Sequence, residues 1–172
     1  MIEDKADEVW FHEVQGLRNA LMYVFYTLLG ALILMFLYAD FQQLVLHKPF
    51  GEEPAPDLVL IIATLIPTVL LYIFAITKLE TRITAEGVSF RWTPFQNNYT
   101  LYKWSDIISI SMIEYGFVGY GIRLAKYGIV HTAGGHHGLQ ITLKGNKHIT
   151  IGTQVAGVLK NILKEKSFYT EL

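Results

Sequence analysis

Polar and apolar positions change rhythm three times along this chain. From Asn19 to Ala39 it reads NALMYVFYTLLGALILMFLYA, 21 residues without a charge, and from Leu58 to Thr77 it reads LVLIIATLIPTVLLYIFAIT, another 20. A helix crossing the hydrocarbon core of a bilayer needs about 20 apolar residues, so each block predicts one span. Helices that are apolar all round would otherwise need a large domain to bury them, and only 95 residues follow the second block. The first block is longer than the apolar stretch of a signal peptide, and its leader MIEDKADE is acidic, which argues for a retained helical hairpin. Residues 1–18 form a juxtamembrane amphipathic segment in this reading. Trp10, Phe11, Val14 and Leu17 recur there at helical spacing, which predicts a helix lying on the membrane surface. Tyr38 and Phe41, with Trp10 and Phe11, fit interfacial anchors. Pro67 predicts a kink in the second span, with Thr64 placed to satisfy the freed backbone. Neither block holds an ionisable residue, so an ion or solute path is not expected.

After Thr77 the period becomes two. Val88, Phe90 and Trp92 alternate with Ser89 and Arg91, and Ile108, Ile110 and Met112 alternate with Ser109 and Ser111. Seven strands are predicted, at 79–84, 88–93, 99–104, 107–115, 128–132, 138–143 and 147–151, with 119–125 extending the fifth. In KGNK at 144–147, Gly145-Asn146 predicts a two-residue hairpin turn. Then the period returns to helical: Val155, Val158, Leu159, Ile162 and Leu163 share one face, with Thr153 as the expected N-cap.

Charge adds an orientation. Lys5 and Arg18 precede the first block and Lys78, Arg82 and Arg91 follow the second, whereas the loop at 40–57 holds only Lys48. The positive-inside rule then puts both termini in the cytoplasm and the loop outside an inner (plasma) membrane. The expected layout is residues 1–18, spans at 19–39 and 58–77, the external loop at 40–57, and a domain at 78–172. That domain carries 11 Lys and Arg against 6 Asp and Glu, a net +5, while residues 1–77 carry 3 against 9, a net −6. A basic domain held beside an anionic leaflet suggests lipid sensing as one function. The chain has no cysteine, which removes disulfides, thiol catalysis and cysteine-containing zinc sites.

Several stretches carry a resemblance: FHEVQGLRN, KLETRITAEGVSFRW, YKWSDIISISMIEY, GYGIR and GLQITLKGNKHITIGTQ. With them the chain resembles the bacterial pleckstrin-homology-like family, and within it small membrane-anchored members that begin with a helical hairpin. The resemblance covers nearly the whole chain and rests on turns and strand ends. It implies a membrane-anchored protein: two transmembrane helices, then a pleckstrin-homology-like seven-stranded antiparallel β-barrel or sandwich capped by a C-terminal α-helix. It implies no catalytic activity. The fold brings phosphoinositide binding to mind, but the first turn is AEG, with Glu86 in it, and only Arg82 and Arg91 lie nearby. Fold alone does not carry that function.

HTAGGHHGLQ, from His131 to Gln140, holds three of the six histidines. Zinc needs three or four converging ligands. Here Gly134 and Gly135 break the strand between His131 and His137, His136 and His137 would point to opposite faces, and no acid lies between 115 and 164. The stretch is therefore read as a glycine-rich hairpin turn carrying exposed imidazoles, with no metal. A metal- or pH-responsive histidine site at His131, His136 and His137 is the alternative. GFVGYGIR at 116–123 matches neither phosphate-binding glycine pattern and is read as a wide connection between strands. Tyr115, Tyr120, Arg123 and Tyr127 decorate it, residue types that protein interfaces favour. No nucleophile–base pair, close carboxylate pair or nucleic-acid signature is apparent. The expectation is a non-enzymatic, membrane-tethered interaction or assembly module. Its partners are the lipid bilayer and either another protein or further copies of the chain. No nucleic acid, small-molecule substrate or cofactor is called for. The expected binding residues are Tyr115, Tyr120, Arg123, Tyr127, His136 and His137.

Overall fold

The computed structural model describes residues 8–116 and 119–170. They divide into two compact units: a β unit of residues 8–18 and 77–170, and a helical unit of residues 19–76.

Among the described residues the β unit has nine strands in two sheets. The first sheet is an antiparallel meander of β1 (Val9–Gly16), β2 (Lys78–Thr84), β3 (Gly87–Thr93) and β4 (Thr100–Lys103). The second contains β5 (Ile107–Glu114), β6 (Gly121–Ala125), β7 (Gly128–Thr132), β8 (His137–Leu143) and β9 (Lys147–Thr153), in the order β5-β8-β9-β7-β6. Helix α3 (Ala156–Glu165) ends the unit and buries Leu159 and Leu163. Val158, on the same apolar stripe, stays exposed.

The inner faces pack against each other. Phe11, Leu79, Ile83, Val88, Phe90 and Trp92 come from the first sheet, and Ile110, Leu139, Ile141, Ile149 and Ile151 from the second, all buried. The period-two pattern predicted Val88, Phe90, Trp92 and Ile110 on these faces, because successive side chains on a strand point to opposite sides; Ile108, expected beside Ile110, is exposed at a bulge in β5.

Four expectations change. The amphipathic helix expected over residues 1–18 is, from Val9 to Gly16, strand β1; residues 1–7 lie outside the described residues. Phe11 faces the core opposite Ile83 and Val14 faces away opposite Glu80, with a bulge between Val9 and Phe11, and pairing with β2 satisfies the backbone. Phe11 is thus a core residue rather than a membrane anchor. Trp10 stacks with Trp104 and Phe168. The β domain therefore starts before the apolar blocks, not at residue 78. Second, 119–125 does not extend the fifth predicted strand; it supplies a separate strand, β6, hairpinned to β7 with Leu124 paired to Ile129. Among the described residues the strands thus number nine rather than seven. Third, β7 and β8 do not form a hairpin, because β9 lies between them, parallel to β7 and antiparallel to β8. The sheet is therefore not wholly antiparallel. Fourth, Val155 rather than Thr153 is the N-cap of α3; the Thr153 hydroxyl accepts from Val155 N at 3.2 Å and donates to Glu13 at 2.7 Å. The KGNK hairpin forms as expected, with Gly145 and Asn146 both at positive φ, although Leu143 pairs with Lys147 across three residues.

The helical unit pairs α1 (Ala20–Asp40) with α2 (Asp57–Ile76). Both are long and apolar enough to cross a membrane. Asn19 caps α1 by accepting from Met22 N. Phe25 meets Phe74 edge-on at 5.3 Å, and the Tyr26 hydroxyl donates to the Phe74 carbonyl. The first helix does not stop at residue 39. It runs through Asp40 into a π-helical turn, Phe41–Val45, so an ionisable residue stands within the helix after all. The Thr64 hydroxyl donates to Asp40 Oδ2 at 2.6 Å and also lies 3.1 Å from the Leu60 carbonyl. Thr64 thereby joins the two helices three residues before Pro67, while Thr68 donates back to the Thr64 carbonyl.

Candidate interaction surface

The sequence-predicted binding residues separate into buried and exposed groups. Tyr115 is only 2% exposed. Its ring lies across the outer face of the second sheet, over Gly138 and Gly152. These glycines are cross-strand partners on β8 and β9. A Cβ on Gly138 would stand 2.7 Å from Tyr115 Cε1, and one on Gly152 would stand 2.9 Å from its hydroxyl. The two glycines are thus the floor for the ring. The Tyr115 hydroxyl meets Thr132 Oγ1 at 3.4 Å, and burial pushes its pKa up despite that contact. Tyr115 is a core residue and drops out of the expected surface. Tyr127 is half-buried, its ring 6.1 Å from that of Tyr115. Its carbonyl accepts from the Thr150 hydroxyl at 3.1 Å, which folds the β6–β7 turn onto the same face. Tyr120 is half-buried before β6, and Arg123 is exposed, its guanidinium lying against Gly119. Residues 117 and 118 of the GFVGYGIR stretch lie outside the described residues.

The three clustered histidines also part. His136 and His137 are exposed, as expected of a tip. His131 is not: it is 8% exposed and stands on the inner face of β7. The Trp92 indole N–H donates to its Nδ1 at 3.2 Å, and the Phe90 ring lies 4.3 Å away. Burial pushes its pKa down to about 4, so it is neutral near pH 7. The expected tip of exposed imidazoles therefore loses one member to the core. Gly134 and Gly135, both at positive φ, carry the chain over the end of β9, where a Cβ on Gly135 would stand 3.7 Å from the Thr153 carbonyl oxygen. Among the described residues no three His, Asp or Glu side chains converge to hold a metal ion.

A second polar cluster, unsuspected from the sequence, centres on Glu80. It accepts from Thr93 Oγ1 at 2.9 Å, from the Tyr99 hydroxyl at 2.6 Å and from Arg91 at 2.8 Å. Arg82 and Arg91 both lie over the Tyr99 ring. Burial raises the Glu80 pKa, but these hydrogen bonds and the Arg91 charge outweigh it and hold the carboxyl at about 2. The two arginines nearest the first turn are therefore engaged with Tyr99, and Arg91 with Glu80 as well.

The exposed feature of most chemical interest is the β6–β7 hairpin. Ile122, Leu124 and Ile129 are 58%, 87% and 43% exposed. By register they share the inner, apolar face with His131 and Ile149. That face continues the core row past the point where the first sheet covers it. β6 is also the last strand of its sheet, and among the described residues no backbone is hydrogen-bonded to its outer side. The alternation of Ile122, Arg123 and Leu124 was readable in the sequence, but exposure was not. Scattered exposed apolar side chains are ordinary; a contiguous group on an open strand edge is not.

No protein family, curated protein or solved structure matches this chain.

Proposed function

We propose that this protein is a membrane-tethered, non-enzymatic interaction module of pleckstrin-homology-like architecture. The carrying observation is where the apolar hairpin sits. It is inserted between β1 and β2, which pair directly, with Gly16 opposite Lys78. The chain leaves the β unit and re-enters it at neighbouring points of one sheet. A membrane crossed by α1 must therefore be recrossed by α2. The helices also leave most of their apolar side chains uncovered. Only 6% and 17% of their most apolar windows are buried, whereas a soluble core helix would be covered. The basic residues flanking the hairpin support a cytoplasmic β unit.

Engineered single cysteines test this directly, since the chain has none of its own. A cysteine in place of Gly51, in the loop, should react with a membrane-impermeant maleimide on intact cells. One in place of Ser105, in the β unit, should react only after permeabilisation. Labelling of both from outside, or recovery of the chain in the soluble fraction, would contradict the reading.

A further inference from the structure

We infer that the open edge of β6 is a docking site for an extended, acidic segment of another protein, which adds to the second sheet as its sixth strand. This rests on the interaction-module reading and names the chemistry of the partner. Three observations converge on it.

The first is the edge itself. β6 ends the sheet, and its outer N–H and C=O groups face no other strand among the described residues. A polypeptide strand satisfies such groups directly. The second is the apolar row. Ile122, Leu124 and Ile129 present a strip that alternate side chains of an added strand would cover. The third is charge. Between Tyr115 and Lys164 there are six Lys and Arg and no Asp or Glu. Arg123 lies on the opposite face of β6 from Leu124, and Lys126 stands in the adjoining turn. A partner strand of alternating apolar and acidic residues matches both faces at once.

The same observations rank the other occupants lower. Inserting this edge into hydrocarbon would bury unpaired backbone groups, each costly there. A second copy would bring two like-charged surfaces together, in a domain that carries 11 cations against 6 acids over 78–172.

The test uses the full chain in nanodiscs of zwitterionic lipid. The probe is a short blocked peptide alternating valine and glutamate, compared with its valine–lysine counterpart by fluorescence anisotropy. The glutamate peptide should bind and weaken as salt rises. Arg123→Glu should weaken it by about tenfold or more, and Leu124→Lys should do likewise. Methylating alternate backbone nitrogens should abolish binding for one of the two possible sets, as strand addition requires. Failure of the glutamate peptide to bind, equal binding of the lysine peptide, or indifference to both methylation sets would overturn the proposal. So would concentration-dependent dimerisation that Leu124→Lys reverses, or capture by anionic vesicles, without peptide binding. If a variant fails to fold, the methylated peptides decide the matter on the unaltered chain. Cysteine labelling is independent of this edge, so failure here is distinguishable from failure of the membrane-module reading.

Discussion

The Trp92 indole N–H donates to His131 Nδ1 across 3.2 Å, and with it β3 of one sheet is tied to β7 of the other through the core. The bond requires an unprotonated Nδ1. Burial enforces that by lowering the imidazole pKa to about 4. The unfolded chain takes up this proton below about pH 6.5, so between there and pH 4 the unfolded state binds more protons. Stability therefore falls as pH drops through that window, by on the order of 3 kcal/mol in full. His131→Phe should flatten this part of the profile. It should also cost about 1–3 kcal/mol at neutral pH, because the indole loses its acceptor. Chemical denaturation on either side of pH 6 reads both effects, and an unchanged slope in the variant would refute the assignment.

Glu80 works in a lower window. Its native pKa of about 2 lies under the ordinary 4.5. Its contribution is complete above pH 4.5 and disappears as pH falls toward 2. Tyr99→Phe and Thr93→Val should each cost about 1 kcal/mol. In a Glu80→Gln background the same changes should cost less, since the shared acceptor has been weakened. Additive costs in the double variants would show that the three donors do not act through this carboxylate.

Gly138 and Gly152 should resist even alanine. The added methyl meets Tyr115 in both cases and the Thr150 or Thr132 side chain as well, so each change should destabilise by about 1–3 kcal/mol. Repeating Gly138→Ala in a Tyr115→Ala background should recover part of that loss. Tyr115→Phe should be mild, because the hydrogen bond from its hydroxyl to Thr132 is long at 3.4 Å. Thermal unfolding of the five variants checks the pattern, and no recovery in the double variant would mean that the ring is not what the glycines accommodate.

Thr64 and Asp40 join the two apolar helices. Thr64→Val removes the donor and should destabilise the hairpin by about 1 kcal/mol, the usual net scale of such a hydrogen bond. Asp40→Asn keeps an acceptor and should be milder. Unfolding in mixed micelles reads the difference; a Thr64→Val protein as stable as the parent would show the contact to be incidental.

Much of the local structure was legible from residue order. Two uncharged blocks of membrane length, period-two stretches within several of the seven predicted strands, glycine–asparagine at a turn and a final amphipathic stripe each report a local preference, and each element formed. What escaped was every feature that depends on a distant partner. Trp10, Phe11, Val14 and Leu17 fit a helical spacing, and pairing with β2, some 60 residues later, made most of that segment a strand. His131 sits in the same seven-residue stretch as two exposed histidines, yet Trp92 and Phe90 enclose it. The glycines of HTAGGHHG did mark a change of direction, but β9 entering between β7 and β8 made it an arch rather than a hairpin.

For the candidate surface the division is the same. The sequence by itself determined that Ile122 and Leu124 flank Arg123 on a strand without acids nearby, because alternation and charge are properties of adjacent residues. Only the tertiary structure decided that this strand is an edge and that its apolar face extends beyond the covering sheet. Burial and edge position are set by which strands meet, and that depends on contacts between segments far apart in the chain.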